Sequence, residues 1–288
     1  MTYYALAERS LISLTGADVR TFLQGVITND IRQLSPKEPL YACLLNPQGK
    51  ILFDFFLYDT GDALLLDVWS DWAEALLKKL TMYKLRSDVA LQVESSLGVA
   101  VQLDIEDELS KAIPLIDVSD PRLRALPKRA VFTREALASF KEGAEMFKQQ
   151  QIVLAVADSA DFREGRAFTS EYGIADLQGV SYSKGCYVGQ EVVSRSKIRG
   201  QLRKALHHIS GSDAIPAKGV SIMSGEKEIG QVVASDGNRG VAMLKIDAVT
   251  KAEITKTPLI SDRVVLTAAL PEWFAQAHDA KKTLMQAV

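Results

Sequence analysis

"KGCYVGQE", residues 184–191, holds one of the chain's two cysteines between a lysine and a Gly-Gln-Glu triplet. Gly189, Gln190 and Glu191 read as the start of a helix running on through "EVVSRS". A thiol just ahead of a helix N-terminus feels the positive end of the macrodipole, and the ammonium of Lys184 adds to it, so both favour thiolate over thiol. Gly185 and Gly189 leave room for close backbone approach to a ligand. The alternative is a buried cysteine in a glycine-rich turn joining a strand to a helix. Cys43, in the apolar run "YACLL", reads as a small buried hydrophobe.

Upstream, "LTGADVRTFLQGVITND" predicts a helix with Thr15 as N-cap and Asp18 reaching back, its apolar face made by Val19, Phe22, Leu23 and Val26. "LYACLLNPQGKILFDFFLY" reads as a hairpin turning at Asn46 to Gly49. "SDWAEALLKKLTMYKL" is a second helix, capped by Ser70, with Trp72, Leu76, Leu80 and Tyr83 on its buried stripe. "VALQVE" and "LGVAVQLD" are strands, and residues 133–162 read as largely helical with Thr133 as a cap. Beyond residue 200 short strand-like runs are punctuated by Gly, Asp, Asn and Pro, the pattern of a small antiparallel barrel or sandwich. The organisation expected is an α+β region over 1–200 and a β-rich domain over 201–288.

Composition narrows the function classes. The 288 residues carry a formal net charge of -2, which excludes a bulk polyanion binder and argues against direct nucleic-acid binding. His207 and His208 are adjacent in a strand and His278 lies near the end, so no metal-ligand spacing exists and no metal site is expected. No G-x-x-x-x-G-K-[ST] or G-x-G-x-x-G loop is present. The opening "MTYYALAERS" lacks the charged and apolar regions of a signal peptide, and apolar runs such as "ALLLDVW" fall short of the roughly 20 residues a membrane helix needs. With no cysteine framework either, the expected setting is cytoplasmic and away from membranes.

Two further features could carry chemistry. In the strand from Lys50 to Tyr58, Ile51, Phe53, Phe55 and Leu57 share one face, and Asp54 lies on the other beside Leu52 and Phe56. A carboxylate there is either on a solvated sheet face or at a pocket, where desolvation would raise its pKa. From Lys184 to Lys204 the chain carries Lys184, Arg195, Lys197, Arg199, Arg203 and Lys204 against the single acid Glu191. Such a run is either a solvated face or an anion site.

"KGCYVGQEVVSRSKIRGQLRKAL" resembles the signature of the YgfZ family, folate-binding proteins related to the aminomethyltransferase (T-protein) of the glycine cleavage system. The likeness extends to "ISLTGADVRTFLQGVITNDIRQL", "LLNPQGKILFDFFLY" and "YKLRSDVAL". It implies an aminomethyltransferase-like α+β fold with subdomains around a central cavity and a C-terminal antiparallel β-barrel. It also implies a tetrahydrofolate-binding accessory protein for assembly or repair of iron-sulfur clusters, notably in [4Fe-4S] radical-SAM tRNA-modifying enzymes, with those enzymes as client partners. The alternative is a folate-dependent aminomethyltransferase or other one-carbon transferase. Cys186, Lys184 and Asp54 are the implied catalytic residues. Thr28, Asn29, Asp30, Asp54, Tyr187, Gln190, Glu191, Arg195 and Arg199 are the implied folate-binding residues, the arginines serving the anionic glutamate tail. Arg163 and Glu164 loosely follow the family's R-x-E-x-G stretch, with the glycine arriving early, and Glu171 falls at an acidic position. The aminomethyltransferases' pterin-binding R-T-G-Y-T-G-E segment has no counterpart here.

Overall fold

A computed structural model describes residues 2–103, 112–157, 159–162, 165–199 and 202–274, with the side chain of Arg199 outside the described set. The chain divides into two compact units. The first comprises residues 1–148, 158–166 and 177–192, and the second residues 149–157, 167–176 and 193–288.

In the first unit, β1 (Thr2–Ala5), β2 (Arg9–Thr15), α1 (Val19–Val26), β3 (Leu40–Leu45), β4 (Ile51–Asp59), β5 (Leu64–Trp69), α2 (Ala73–Lys84), β6 (Ala90–Glu94), β7 (Leu97–Leu103), β8 (Ile116–Val118) and β9 (Lys128–Thr133) follow in order. A turn of helix, α3 (Arg134–Leu137), comes next, and α4 (Ala144–Val153) runs out of the unit. Two antiparallel sheets result, one in the order β3-β4-β5-β2-β6 and one in the order β1-β7-β9-β8. Strand alternation explains the layering of the larger sheet. Ile12, Leu14, Leu40, Ala42, Leu44, Phe55, Leu57, Leu64, Leu66 and Val68 point one way and bury against Val19, Phe22, Leu23 and Val26 of α1 and Ala73, Leu76 and Leu80 of α2. The opposite positions, Arg9, Tyr41, Asp54, Phe56, Tyr58 and Asp67, are buried too, although many are polar.

The hairpin forms as expected, with β3 paired to β4 and Cys43 opposite Asp54. Both helix starts differ from expectation. Thr15 ends β2 and the N-cap of α1 is Asp18, whose carboxylate accepts from the Asp88 amide at 2.8 Å instead of from the helix. Ser70 opens a 3-10 turn, Ser70–Trp72, and receives a hydrogen bond from Ser10 Oγ at 2.9 Å, so α2 begins only at Ala73. Thr133 does cap α3, accepting from the Ala136 amide. Between 133 and 162 the described helix is confined to α3, α4 and a short 3-10 turn, Ser159–Asp161.

In the second unit, β10 (Lys204–Gly211), β11 (Ser221–Ser224), β12 (Lys227–Asp236), β13 (Arg239–Lys245), β14 (Leu259–Ser261) and β15 (Val264–Ala269) close into a barrel in the order β10-β13-β12-β11-β14-β15. Closure leaves no free sheet edge. The interior holds Ile209, Ile222, Ile229, Val232, Ala242, Leu244, Leu259 and Leu266, with Ala252 of the following helix (Ile246–Thr255) packed against them. Residues 149–176 contribute to the same unit: Trp273 Nε1 donates to the Leu154 carbonyl at 2.8 Å, and the Leu206 amide donates to the Glu171 carbonyl at 3.2 Å. No helix among the described residues is long and apolar enough to cross a membrane.

Candidate functional site

The inward polar positions of the first unit form one connected layer. Asp67 on β5 accepts from Arg9 Nε at 2.6 Å, from Arg129 Nη2 at 2.5 Å and from the Tyr58 hydroxyl at 3.0 Å. Burial pushes the Asp67 carboxyl up, but the two guanidiniums outweigh it and hold its pKa below the usual carboxylate value. Arg122 grips Asp120 through Nε and Nη2 at 3.0 and 2.8 Å. The Phe56 ring lies under Arg129 at 3.9 Å, Arg122 at 4.8 Å and Arg9 at 5.6 Å from its centroid.

Asp54 belongs to this layer. It is fully buried, accepting from the Tyr41 hydroxyl at 3.1 Å and from Ser159 Oγ. It therefore does not sit on a solvated sheet face. Of the two settings the sequence left open, the solvated face is excluded, and the 3-10 turn at Ser159 lies over the carboxylate. Burial, and next the nearby Asp54 charge, raise the pKa of both the Tyr41 hydroxyl and the Cys43 thiol.

Thr28, Asn29 and Asp30 follow α1 and act as a fastening. Thr28 Oγ1 accepts from the Cys43 amide at 2.8 Å and donates to the Gly179 carbonyl at 2.7 Å. Asn29 Nδ2 donates to the carbonyls of Tyr41 and Gln178 at 2.9 and 2.7 Å. Asp30 takes a fork from Arg32, whose hydrogen bonds lower its pKa to about 2. Lys184 completes the fastening: its buried ammonium donates to the carbonyls of Ile27 at 2.6 Å and Asn29 at 2.9 Å, over the face of Tyr187 at 4.9 Å. Burial lowers its pKa to about 8. The ammonium expected to face the thiol is thus engaged with the backbone of residues 27–29.

Cys186 is exposed, on the arm between Lys184 and the buried Tyr187. It lines a pocket of about 420 Å³ with Arg20, Gln24, Ile31 and Arg32. The arm is seated by a close backbone contact between two motifs far apart in sequence. Gly189 has φ +83°, and a Cβ there would fall 2.7 Å from the Asn46 carbonyl oxygen and 3.1 Å from Gly49 Cα. Gly49 has φ +72°, and its Cβ would fall 2.6 Å from Val192 Cβ. The hairpin turn and the cysteine motif need glycine because they press on each other.

A larger cleft, about 1030 Å³, opens on the other side of the fastening. Its walls include Asn29, Tyr41, Asp120, Gln178, Ser181 and Tyr182, with Lys37 and Arg124 among its exposed members. Tyr41 stands between this cleft and Asp54. The volume lies at the upper end of the roughly 300–1,000 Å³ range of small-molecule sites. The lining is mixed in charge, with Lys37 and Arg124 beside Glu38 and Asp120.

The structure brings together Thr28, Asn29, Asp30, Lys184, Cys186 and Tyr187, and sets Asp54 one side chain behind the cleft. Gln190 opens the helix Gln190–Arg199, and Glu191 is exposed in its first turn. Arg195 is exposed in the second unit. Arg163, Glu164 and His278 lie outside the described residues, as does the Arg199 side chain. Sequence reasoning missed Tyr41, Lys37, Arg124, Gln178 and the arginine layer. Arg9, Asp67 and Arg129 were detectable as charged residues at inward positions of apolar strands. Among the described residues no group of three His, Cys, Asp or Glu side chains is placed to hold a metal ion.

Comparison with known proteins agrees with this architecture. A crystal structure of glycine cleavage system aminomethyltransferase T from Bartonella henselae superimposes with a TM-score of 0.74 at 11% identity, covering 95% of this chain and 86% of that one. Residues 203–276 match the CAF17 C-terminal beta-barrel domain family. The chain therefore has the aminomethyltransferase fold with a closed C-terminal barrel, as expected from the resemblance. Along its length it is a relative of the proteins named iron-sulfur cluster assembly factor IBA57, mitochondrial. The mouse protein is 29% identical, covering 96% of this chain and 86% of its own length, and the human protein is 27% identical, covering 94% and 85%. A Neurospora crassa homologue is 30% identical over 74% of this chain and 56% of its own. These relatives refine the YgfZ resemblance, since they carry the IBA57 name. They also correct the cytoplasmic expectation: all are named mitochondrial, and a low cysteine count suits any reducing compartment.

Proposed function

We propose that this protein is a tetrahydrofolate-binding accessory factor for assembly or repair of iron-sulfur clusters, with [4Fe-4S] radical-SAM tRNA-modifying enzymes among its clients. The observation that carries the reading is the exposed Cys186 on an arm fastened by the buried Lys184 beside a folate-sized cleft. The iron-sulfur assembly role named for the mammalian relatives supports it. Iron-sulfur clusters are held by several thiolates, so Cys186 supplies one ligand while the client supplies the others. In the cleft, Lys37 and Arg124 would hold the carboxylates of the folate tail, and Asn29, Gln178 and Ser181 would line its polar head. The second reading, an aminomethyltransferase, is supported by the fold and weakened by the withdrawal of Asp54 behind Tyr41 and Ser159.

Two measurements test the reading. Folinic acid titrated into the protein should give a saturable calorimetric signal that Arg124→Ala weakens. In a strain lacking the protein, wild type should restore a radical-SAM tRNA methylthiolase and Cys186→Ser should not. Full restoration by Cys186→Ser would sink the thiol-centred reading.

A further inference from the structure

The cleft and the thiol pocket are distinct cavities, yet the same two segments wall both. In residues 29–32, Asn29 lines the cleft, whereas Ile31 and Arg32 line the thiol pocket. In residues 181–186, Ser181, Tyr182 and Ser183 line the cleft and Cys186 lines the thiol pocket. Hydrogen bonds join the stretches that lead into these segments, residues 27–29 and 178–184: Thr28 Oγ1 to Gly179, Asn29 Nδ2 to Gln178, the Ser181 amide to Thr28, and Lys184 Nζ to both Ile27 and Asn29.

Of residues 182–186, Lys184 alone has a buried side chain; Tyr182, Ser183, Gly185 and Cys186 are all exposed. Gly185 shows how loosely the arm is packed there, since a Cβ at this position would meet no atom within 4 Å. The placement of Cys186 is thus set by Lys184 on one side and by the buried Tyr187 on the other.

We propose that Lys184 is a positioning residue through which a ligand in the cleft controls the accessibility of the Cys186 thiol. The identity of that ligand rests on the folate reading; the coupling is additional to it. A ligand seated against Asn29, Ser181, Tyr182 and Ser183 orders the exposed residues that flank the Lys184 anchor. The arm then loses part of the freedom that lets an outside molecule reach Cys186. Couplings of this kind shift affinities or populations by about 5-fold or more.

The test follows alkylation of Cys186 by iodoacetamide in the full chain, resolved by peptide mass, with and without saturating folinic acid. Calorimetry on the same samples reports occupancy, and the buried Cys43 reports any global unfolding. In wild type, folinic acid should slow Cys186 modification about 5-fold. In Lys184→Met the unliganded rate should rise, Cys43 should stay protected, and folinic acid should change the Cys186 rate by less than about 2-fold while its heat of binding persists. Lys184→Arg, which keeps a donor for the two carbonyls, should restore part of the coupling. Heat of binding with an unchanged Cys186 rate in wild type would overturn the coupling and leave the folate reading intact. Absence of any heat would overturn both. Should Lys184→Met fail to fold, Lys184→Gln takes its place, and a folded variant lacking the Lys184 ammonium that keeps the full wild-type coupling overturns the role of the anchor.

Discussion

Phe56 has three guanidiniums around its ring, from Arg9, Arg122 and Arg129, and each touches a carboxylate: Arg9 and Arg129 meet Asp67, and Arg122 meets Asp120. In a layer this dry, removing one member strands its partners' charges, at a cost of about 3–5 kcal/mol. Arg129→Met is expected to lower stability by about that amount in urea denaturation. A shared surface role for Arg129 would predict almost no change. Asp30 is a second, milder case. Its pKa is lowered to about 2 by Arg32, so the stabilisation is present above the ordinary value near 3.8 and is lost as pH falls through about 2. Wild type should therefore lose its advantage over Arg32→Ala across that window in acid titrations of stability. Sequence singled out Asp54 because an acid among Phe and Leu is conspicuous. It did not reveal that Ser159, distant in sequence, folds over that carboxylate, because nothing local to β4 encodes the cover.

Among the elements, the contact between the β3–β4 turn and the cysteine motif ties two distant stretches of chain. A non-glycine residue at positive φ costs about 1–2 kcal/mol before any clash. Gly189→Ala should therefore destabilise by more than about 2 kcal/mol, since its methyl also meets the Asn46 carbonyl, whereas Gly185→Ala should be nearly neutral. Chemical denaturation of the two variants checks both. β1, β2, β5, β8 and β9 went unread, but the β3–β4 hairpin, β6, β7 and the faces of α1 and α2 were legible because hydrophobic periodicity is local. The helix starts were not. Asp18 is recruited by Asp88 and Ser70 by Ser10, partners that only the folded sheet brings near. One barrel strand, β14 (Leu259–Ser261), also escaped notice, because three residues carry no periodicity of their own.

For the whole molecule, the barrel does not account for its unit alone. Gly173, at φ +62°, lies against Trp273, a Cβ there falling 2.5 Å from the ring, and the Trp273 indole is held by the Leu154 carbonyl. Trp273→Phe removes that hydrogen bond and should lower stability by about 1 kcal/mol, read from thermal unfolding. Residues 149–157 and 167–176 sit with the barrel, an arrangement that composition could not show because those stretches look like ordinary helix and loop. The placement of the two thiols has a consequence for oxidative chemistry. Cys43 lies buried on β3, at the end of the five-stranded sheet, with its thiol pKa raised by burial, while Cys186 stands in the open. A sulfenic acid formed at Cys186 finds no second accessible cysteine in its own chain to resolve it. With Cys43 buried, peroxide damage is not channelled into an internal disulfide, and the routes left to the sulfenic acid are another molecule's thiol, a backbone nitrogen or overoxidation.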